Sequence, residues 1–367
     1  MRKLFKVAAL FTMLAACVAC SDRFESRNLV RFSVKTGDPG TKASYSGHKE
    51  SNKERIDWSD GDMVWIWSPE SRLPVSHESY YVIRDITANG FYSEAGLELY
   101  STEGNIYGIQ WNDDVQTQHF FSVFPVPLKN SSVFFRLVTN NGQWDDTSSA
   151  FYGATIPARQ APKSVSSTND GVVAEPDGNN LIMAAQAACA PNTLVSLDYQ
   201  PVVTAVEFIV KNGYADESAM TLNSIKLSAE SDPIVGKFTN YLTGNTAPLF
   251  ENTSTNLEIP FSTPVSVPYG KTLKFTVFML GLQSSTSPDI TNMDIEFVTG
   301  TSTSIKAKLT TTQGAMAFPR GKKSYVTGLI IPGACVWTLS AVPDAITAWG
   351  TEDLDVETEF NHYSAEE

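Results

Sequence analysis

Apolar or alternating runs six to ten residues long recur along the whole chain, bounded by Gly, Pro, Asn and Asp, and no segment of any length carries the periodicity of an amphipathic helix. That pattern dictates an all-β protein. The clearest runs are LVRFSVK (29–35), DMVWIWS (62–68), FFSVFPV (120–126), SVFFRLV (132–138), TAVEFIV (204–210), LNSIKLSA (222–229), KTLKFTVFML (271–280), MDIEFV (293–298) and SIKAKL (304–309). Strands this short and this numerous favour β-sandwiches.

With 367 residues there is chain enough for two domains, each burying its own core. Hydrophobic residues make up 42% and charged residues 18%, a balance that folds without metal or disulfide support. The polar, turn-rich segment 157–180 reads as an exposed loop of the first domain. After LIMAAQAACAPNT (181–193) the strand pattern restarts, so the join is expected near Pro191, dividing 17–191 from 192–367. Each half then holds a sandwich's complement of strands.

The first residues, MRKLFKVAALFTMLAACVAC, place Arg2, Lys3 and Lys6 ahead of an apolar run too short for a stable membrane span, the pattern of a secretory signal over 1–16. Leu14-Ala15-Ala16-Cys17 resembles a bacterial lipobox, which makes Cys17 the expected acylated residue and Cys20 the alternative. Acylation would anchor a soluble domain through its lipid chains. Cys189 and Cys335 are far apart and do not suggest a disulfide framework. Net charge is −13, and three units more negative once the signal's cations are gone, a balance that disfavours nucleic acid.

The stretch RIDWSDGDMVWIWSP (55–69) concentrates three tryptophans and three aspartates. Met63, Trp65 and Trp67 fall on one strand face and Val64 and Ile66 on the other, which suits a buried strand after a Ser59-Asp60-Gly61-Asp62 turn. A carbohydrate platform is the other reading. Asp57, Asp60 and Asp62 lack the spacing of a calcium loop, and His48, His77, His119 and His362 lack a zinc spacing. No metal or cofactor is expected. Asp113-Asp114 and Asp145-Asp146 lie beside Trp111 and Trp144, which would suit glycan contact, but no catalytic constellation can be named.

Several segments, taken in order, resemble the Mfa-like fimbrillins of the Bacteroidales, lipoprotein precursors of type V pili and related surface adhesins. They are RFSVKTGDPGTKASYSG (31–47), IDWSDGDMVWIW, FFSVFPV, LIMAA before VSLDYQPVVTAVEFIVKN, LNSIKLSAESDPIVGKFT (222–239), YVTGLIIPG (325–333) and DAITAW (344–349). The resemblance implies two tandem transthyretin-like (Greek-key) β-sandwiches and display on the outer membrane as part of a fimbrium. It also implies polymerisation by strand exchange with other pilus subunits, triggered by a trypsin-like protease. Aligning the loop behind the first strand puts Lys42 at the cleavage position, where the family more often has arginine.

The residues themselves give this mechanism a physical form. Val30, Phe32 and Val34 share one face of the segment 29–35, so its loss would open an apolar groove between unpaired backbones. In the tail 351–367, Leu354, Val356 and Phe360 alternate with acidic residues, the pattern either of a donor strand or of a disordered acidic terminus. The competing expectation is a monomeric surface lipoprotein that binds host or microbial glycan and stays acylated.

Overall fold

A computed structural model describes residues 29–36, 44–50, 53–72, 78–88, 93–100, 108–126, 134–138, 145, 148–214, 216–230, 233–243, 249–280, 292–300, 303–310, 321, 323–331 and 334–339. Twenty-three strands run through them. The first half of the chain holds β1 (Phe32–Thr36), β2 (Ser44–Glu50), β3 (Lys53–Asp57), β4 (Met63–Trp67), β5 (Glu78–Ala88), β6 (Ser93–Leu99), β7 (Gln118–Phe124), β8 (Phe134–Val138), β9 (Ser149–Ile156), β10 (Ser164–Thr168), β11 (Gly171–Glu175) and β12 (Met183–Cys189). The second holds β13 (Val195–Pro201), β14 (Thr204–Asn212), β15 (Met220–Ala229), β16 (Val235–Tyr241), β17 (Leu249–Ser254), β18 (Asn256–Val267), β19 (Thr272–Met279), β20 (Asn292–Val298), β21 (Ser304–Thr310), β22 (Lys323–Ile331) and β23 (Ala334–Leu339). The only helical element among the described residues is a three-residue 3-10 turn at Gly178–Asn180.

Seven strands close a barrel in the order β1-β13-β12-β7-β4-β5-β6. Closure removes the free edges that an open sheet would expose. Val64 and Ile66 of β4 point inward and are fully buried, as are Phe120 and Leu197. Trp58 also packs inside, edge-on to Phe124 at 5.3 Å and to Tyr199 at 5.2 Å. The turn before β4 is held by Ser59, whose N–H donates to the Asp62 carboxylate at 2.9 Å, and Gly61 takes a φ of 89° there.

The remaining strands form a six-stranded sheet (β10-β11-β19-β14-β22-β23), two four-stranded sheets (β18-β15-β20-β21 and β17-β16-β9-β8) and the β2-β3 pair. A single hydrophobic cluster runs from the barrel interior into the six-stranded sheet and both four-stranded sheets.

Chain order and sheet membership part company around the expected join. β13 follows Pro191 but pairs with β1 and β12 inside the barrel. Earlier in the chain, β11 pairs with β19, and β9 pairs with β16. Residues on both sides of Pro191 therefore build the same sheets. The reason is local: Pro191 sits in a turn in which Asn192 adopts a φ of 67° and the Thr193 hydroxyl donates to the Ala190 carbonyl at 2.9 Å. That turn joins two strands of one barrel.

Segment 157–180, expected as a loop, contains the β10-β11 hairpin at the edge of the six-stranded sheet. Every residue of β10 is exposed, so its Ser and Thr side chains meet water, while Val172 and Ala174 of β11 are buried.

Candidate functional site

The feature with a possible role beyond packing is the slot in the barrel wall that β1 occupies. Residues on alternate sides of this strand meet different environments because successive side chains point to opposite faces. Val30, Phe32 and Val34 are only 5%, 4% and 0% exposed, whereas Arg31 and Lys35 face solvent. Burying three such side chains contributes about 5–9 kcal/mol before chain entropy is subtracted.

Both long edges of β1 are paired. On one side it runs parallel to β13, from Phe32 opposite Val195 to Thr36 opposite Tyr199. On the other it runs antiparallel to β6, with Ser33 opposite Gly96 and Lys35 opposite Glu94. Just ahead of the strand, Val30 donates to the Ile109 carbonyl at 3.0 Å, and the Arg31 carbonyl accepts from Val195 at 3.0 Å. Taking β1 away would leave β6 and β13 as two facing edges with unsatisfied backbone groups.

The floor of the slot is aromatic. Phe32 meets Tyr81 edge-on at 5.1 Å and Phe120 at 5.5 Å, and Phe120 in turn meets Trp111 at 5.5 Å. The Tyr81 hydroxyl accepts from the Ile109 N–H at 2.8 Å, and burial holds that hydroxyl protonated well above the ordinary tyrosine range. The rim is charged. Lys35 lies 2.6 Å from Glu94, with both side chains partly exposed, and faces exposed Asp198 across the parallel pair.

Trp111 is 3% exposed and packed against Phe120, so its ring has no face to present to a sugar. Cys17, Cys20, Lys42, Trp144, Leu354, Val356 and Phe360 lie outside the described residues. Tyr81, Phe120, Glu94 and Asp198 are the slot residues that sequence reading missed. Alternation could mark Tyr81 and Phe120 as inward, but nothing in the sequence says which strands flank β1.

Of the tryptophans in the 55–69 stretch, Trp58 and Trp67 are buried, and the Trp67 indole donates to Glu78 at 2.8 Å. Trp65 is partly exposed and lies with its ring centroid 3.8 Å from that of Trp67. Among the described residues, no three His, Cys, Asp or Glu side chains come together in a way that could hold a metal ion. An open trough of about 350 Å³ on the outer face of β15, β20 and β21 is lined by alternating charges, including Lys226 and Glu296 at 3.5 Å. Such pairs mark a solvated sheet face.

No protein-family model matches the chain, and no curated protein matches it. Among solved structures, it is similar to a candidate cell adhesion protein from Bacteroides ovatus, with a TM-score of 0.51 at 10% identity over 89% of this chain and 100% of that one. A candidate cell adhesion protein from Bacteroides uniformis gives a TM-score of 0.46 at 14% identity over 85% and 96% of the two chains. The tip fimbrial protein Mfa3 of Porphyromonas gingivalis, with a C-terminal truncation, gives 0.37 at 10% identity over 85% and 98%. The first of these likenesses is one of fold alone, shared with the Bacteroides ovatus protein across 89% of this chain.

Proposed function

We propose that this chain is a structural subunit or adhesin of a surface fimbrium, exported as a lipoprotein acylated at Cys17 and assembled when a strand from another subunit takes the place of β1. The observation that carries this reading is the way β1 is held. It is a short strand at the start of the described chain, with three side chains in the core and a partner on each edge. Excision would create a groove that is both apolar and lined with free backbone donors and acceptors, and an extended strand is what fills such a groove.

In this scheme a trypsin-like protease cuts after Lys42, the lipid leaves with the excised segment, and the tail carrying Leu354, Val356 and Phe360 serves as a donor toward a neighbour. The fold shared with the Bacteroides ovatus protein supports surface display and adhesion. Work done by the subunit is mechanical, so no catalytic residue is assigned.

The test is limited trypsin treatment of the full chain, followed by intact mass and size measurement. A cut after Lys42 with loss of residues 1–42 and growth of larger species is expected. A chain that is cut there and stays monomeric, or is never cut there, would instead fit a lipid-anchored surface protein that acts alone.

A further inference from the structure

We infer that the end of the barrel at which β1 begins is seated on the lipid bilayer, its exposed apolar side chains entering the headgroup region of the membrane that holds the acyl chains. The inference rests on the acylation of Cys17 proposed above and gives the anchored subunit its orientation.

Three neighbouring strands build this end. β1 lies between β13, which runs parallel to it with Phe32 opposite Val195, and β6, which runs antiparallel with Ser33 opposite Gly96. The starts of β1 and β13 and the finish of β6 therefore lie side by side. Each carries an exposed apolar side chain there: Leu29 ahead of β1 at 36%, Leu194 immediately before β13 at 61%, and Tyr100 immediately after β6 at 43%. The backbone fixes their places, since Leu29 bridges Gln110 and the Tyr100 N–H donates to the Tyr80 carbonyl at 3.0 Å. Seven large apolar side chains are this exposed among the described residues. The other four, Val165, Leu249, Tyr269 and Leu329, are dispersed over β10, β17, the turn between β18 and β19, and β22. Single exposed residues are ordinary, whereas three on adjacent strand ends form a patch.

The rest of the molecule is attached at the opposite end. β13 passes into β14 through Val202, which donates to the Ile182 carbonyl at 2.9 Å, and Val203, whose carbonyl accepts from Gly321 at 3.0 Å. The patch is thus turned away from the six-stranded sheet. Eleven residues separate Cys17 from Leu29, a reach of at most about 40 Å when fully extended. A lipid on Cys17 therefore keeps this end, and not the far end, beside the bilayer. Leucine suits the acyl boundary, and tyrosine the headgroup level, because its ring is apolar and its hydroxyl polar.

Charges near the patch carry both signs. Arg31 is exposed, and so is Asp113, whose carboxylate accepts from the Asn192 side chain at 3.1 Å in the turn before Leu194. On a chain of net charge −13, that mixture suits zwitterionic headgroups better than an anionic surface. From Leu29 to Thr36 the backbone runs about 23 Å along the strand. The chain therefore leaves β1 toward Lys42 on the side away from the lipid, where a protease can approach.

The experiment uses the full chain, purified from the membranes of cells that make it and reconstituted into phosphatidylcholine vesicles, with the lipid on Cys17 read by intact mass. Tryptophan is introduced singly as Leu194→Trp, Tyr100→Trp and, at a distant control position, Tyr269→Trp. Two patch positions are read so that one variant failing to fold does not decide the outcome. Vesicles with and without bromine on the acyl carbons nearest the headgroup then report which added ring meets lipid. Emission added by Leu194→Trp and Tyr100→Trp is expected to fall at least about twofold in the brominated vesicles, because an interfacial side chain lies at the headgroup and acyl boundary, while that added by Tyr269→Trp stays unchanged. A protein that floats with the vesicles yet shows no quenching at either patch position would overturn the inference and leave the lipid anchor intact. Quenching at Tyr269→Trp as strong as at the patch would also overturn it, since the molecule would then have no preferred orientation. A chain that carries no lipid and does not float would remove the acylation reading, and the inference with it.

Discussion

The side-chain amide of Gln160 pairs with the backbone of Phe278 in both directions, donating to its carbonyl at 2.6 Å and accepting its N–H at 3.0 Å. Gln160 is buried, and its amide nitrogen also reaches the Pro157 carbonyl at 3.2 Å. The side chain acts as one more rung beside β19. It ties residues ahead of Pro191 to a strand nearly 120 positions later, which is one reason a cut at Pro191 does not separate two bodies.

Replacing Gln160 with Ala would leave two buried backbone groups without partners. A loss of about 2–5 kcal/mol is expected, read from the midpoint of chemical unfolding. A change below about 0.5 kcal/mol, within the range of ordinary surface substitutions, would mean that water reaches the site and the pairing is dispensable.

Lys323 and Glu207 form the one ion pair among the described residues in which both side chains are less than a tenth exposed, at 2.9 Å, with the ammonium 4.8 Å from the Tyr325 ring centroid. Lys323→Met takes the ammonium away from a buried carboxylate and should cost about 3–5 kcal/mol, whereas Lys323→Met with Glu207→Leu should recover most of that. Burial lowers the Lys323 pKa well below its ordinary 10.5. The unfolded chain then binds more protons between those two values, so stability rises with pH across that window. Comparing unfolding midpoints of wild type and double variant over alkaline pH checks the sign: the excess slope belongs to the wild type. A double variant as unstable as the single one would refute the account.

All nine strands named from the sequence are present, because each carries its own apolar face or a wholly apolar core. The turn at Ser59 to Asp62 was legible for the same local reason. Segment 164–168 was not, since SVSST is exposed throughout and owes its strand to the hairpin with β11 rather than to burial. Barrel closure was also invisible. Which strands flank β1 depends on contacts about sixty and about one hundred and sixty residues away, and periodicity carries no information about pairing at that distance. The slot's inward residues could be read from alternation, but its charged rim could not.

Gly171 and Gly61 both hold a positive φ, 147° and 89°, yet their surroundings differ. A β-carbon at Gly171 would lie 1.9 Å from the Thr272 carbonyl oxygen, at the crossing from β11 to β19, while one at Gly61 would meet nothing within 4 Å. Gly171→Ala should therefore cost about 3 kcal/mol or more, combining clash and backbone strain, and Gly61→Ala about 1–2 kcal/mol from backbone strain alone. Thermal unfolding of the two variants side by side tests the ordering. Equal shifts would mean that β11 moves away from β19 without loss.

Phe32 and Phe120 touch, yet they should respond differently to truncation, because one belongs to the strand proposed to leave and the other to the wall that stays. Phe120→Ala opens a cavity in the permanent core and should lower global stability by about 3–5 kcal/mol. Phe32→Ala removes a comparable contact, but the penalty it can impose on the rest of the barrel is capped by the free energy of undocking β1, since beyond that point the strand simply opens. Its effect should appear as faster amide exchange in β1, in β6 and in the facing part of β13, and as faster cleavage after Lys42, with a smaller shift in the unfolding midpoint than Phe120→Ala. Exchange that accelerates evenly over the whole barrel, with equal midpoint shifts for the two variants, would mean that β1 unfolds only with everything else. In that case no neighbour could displace it without unfolding the subunit.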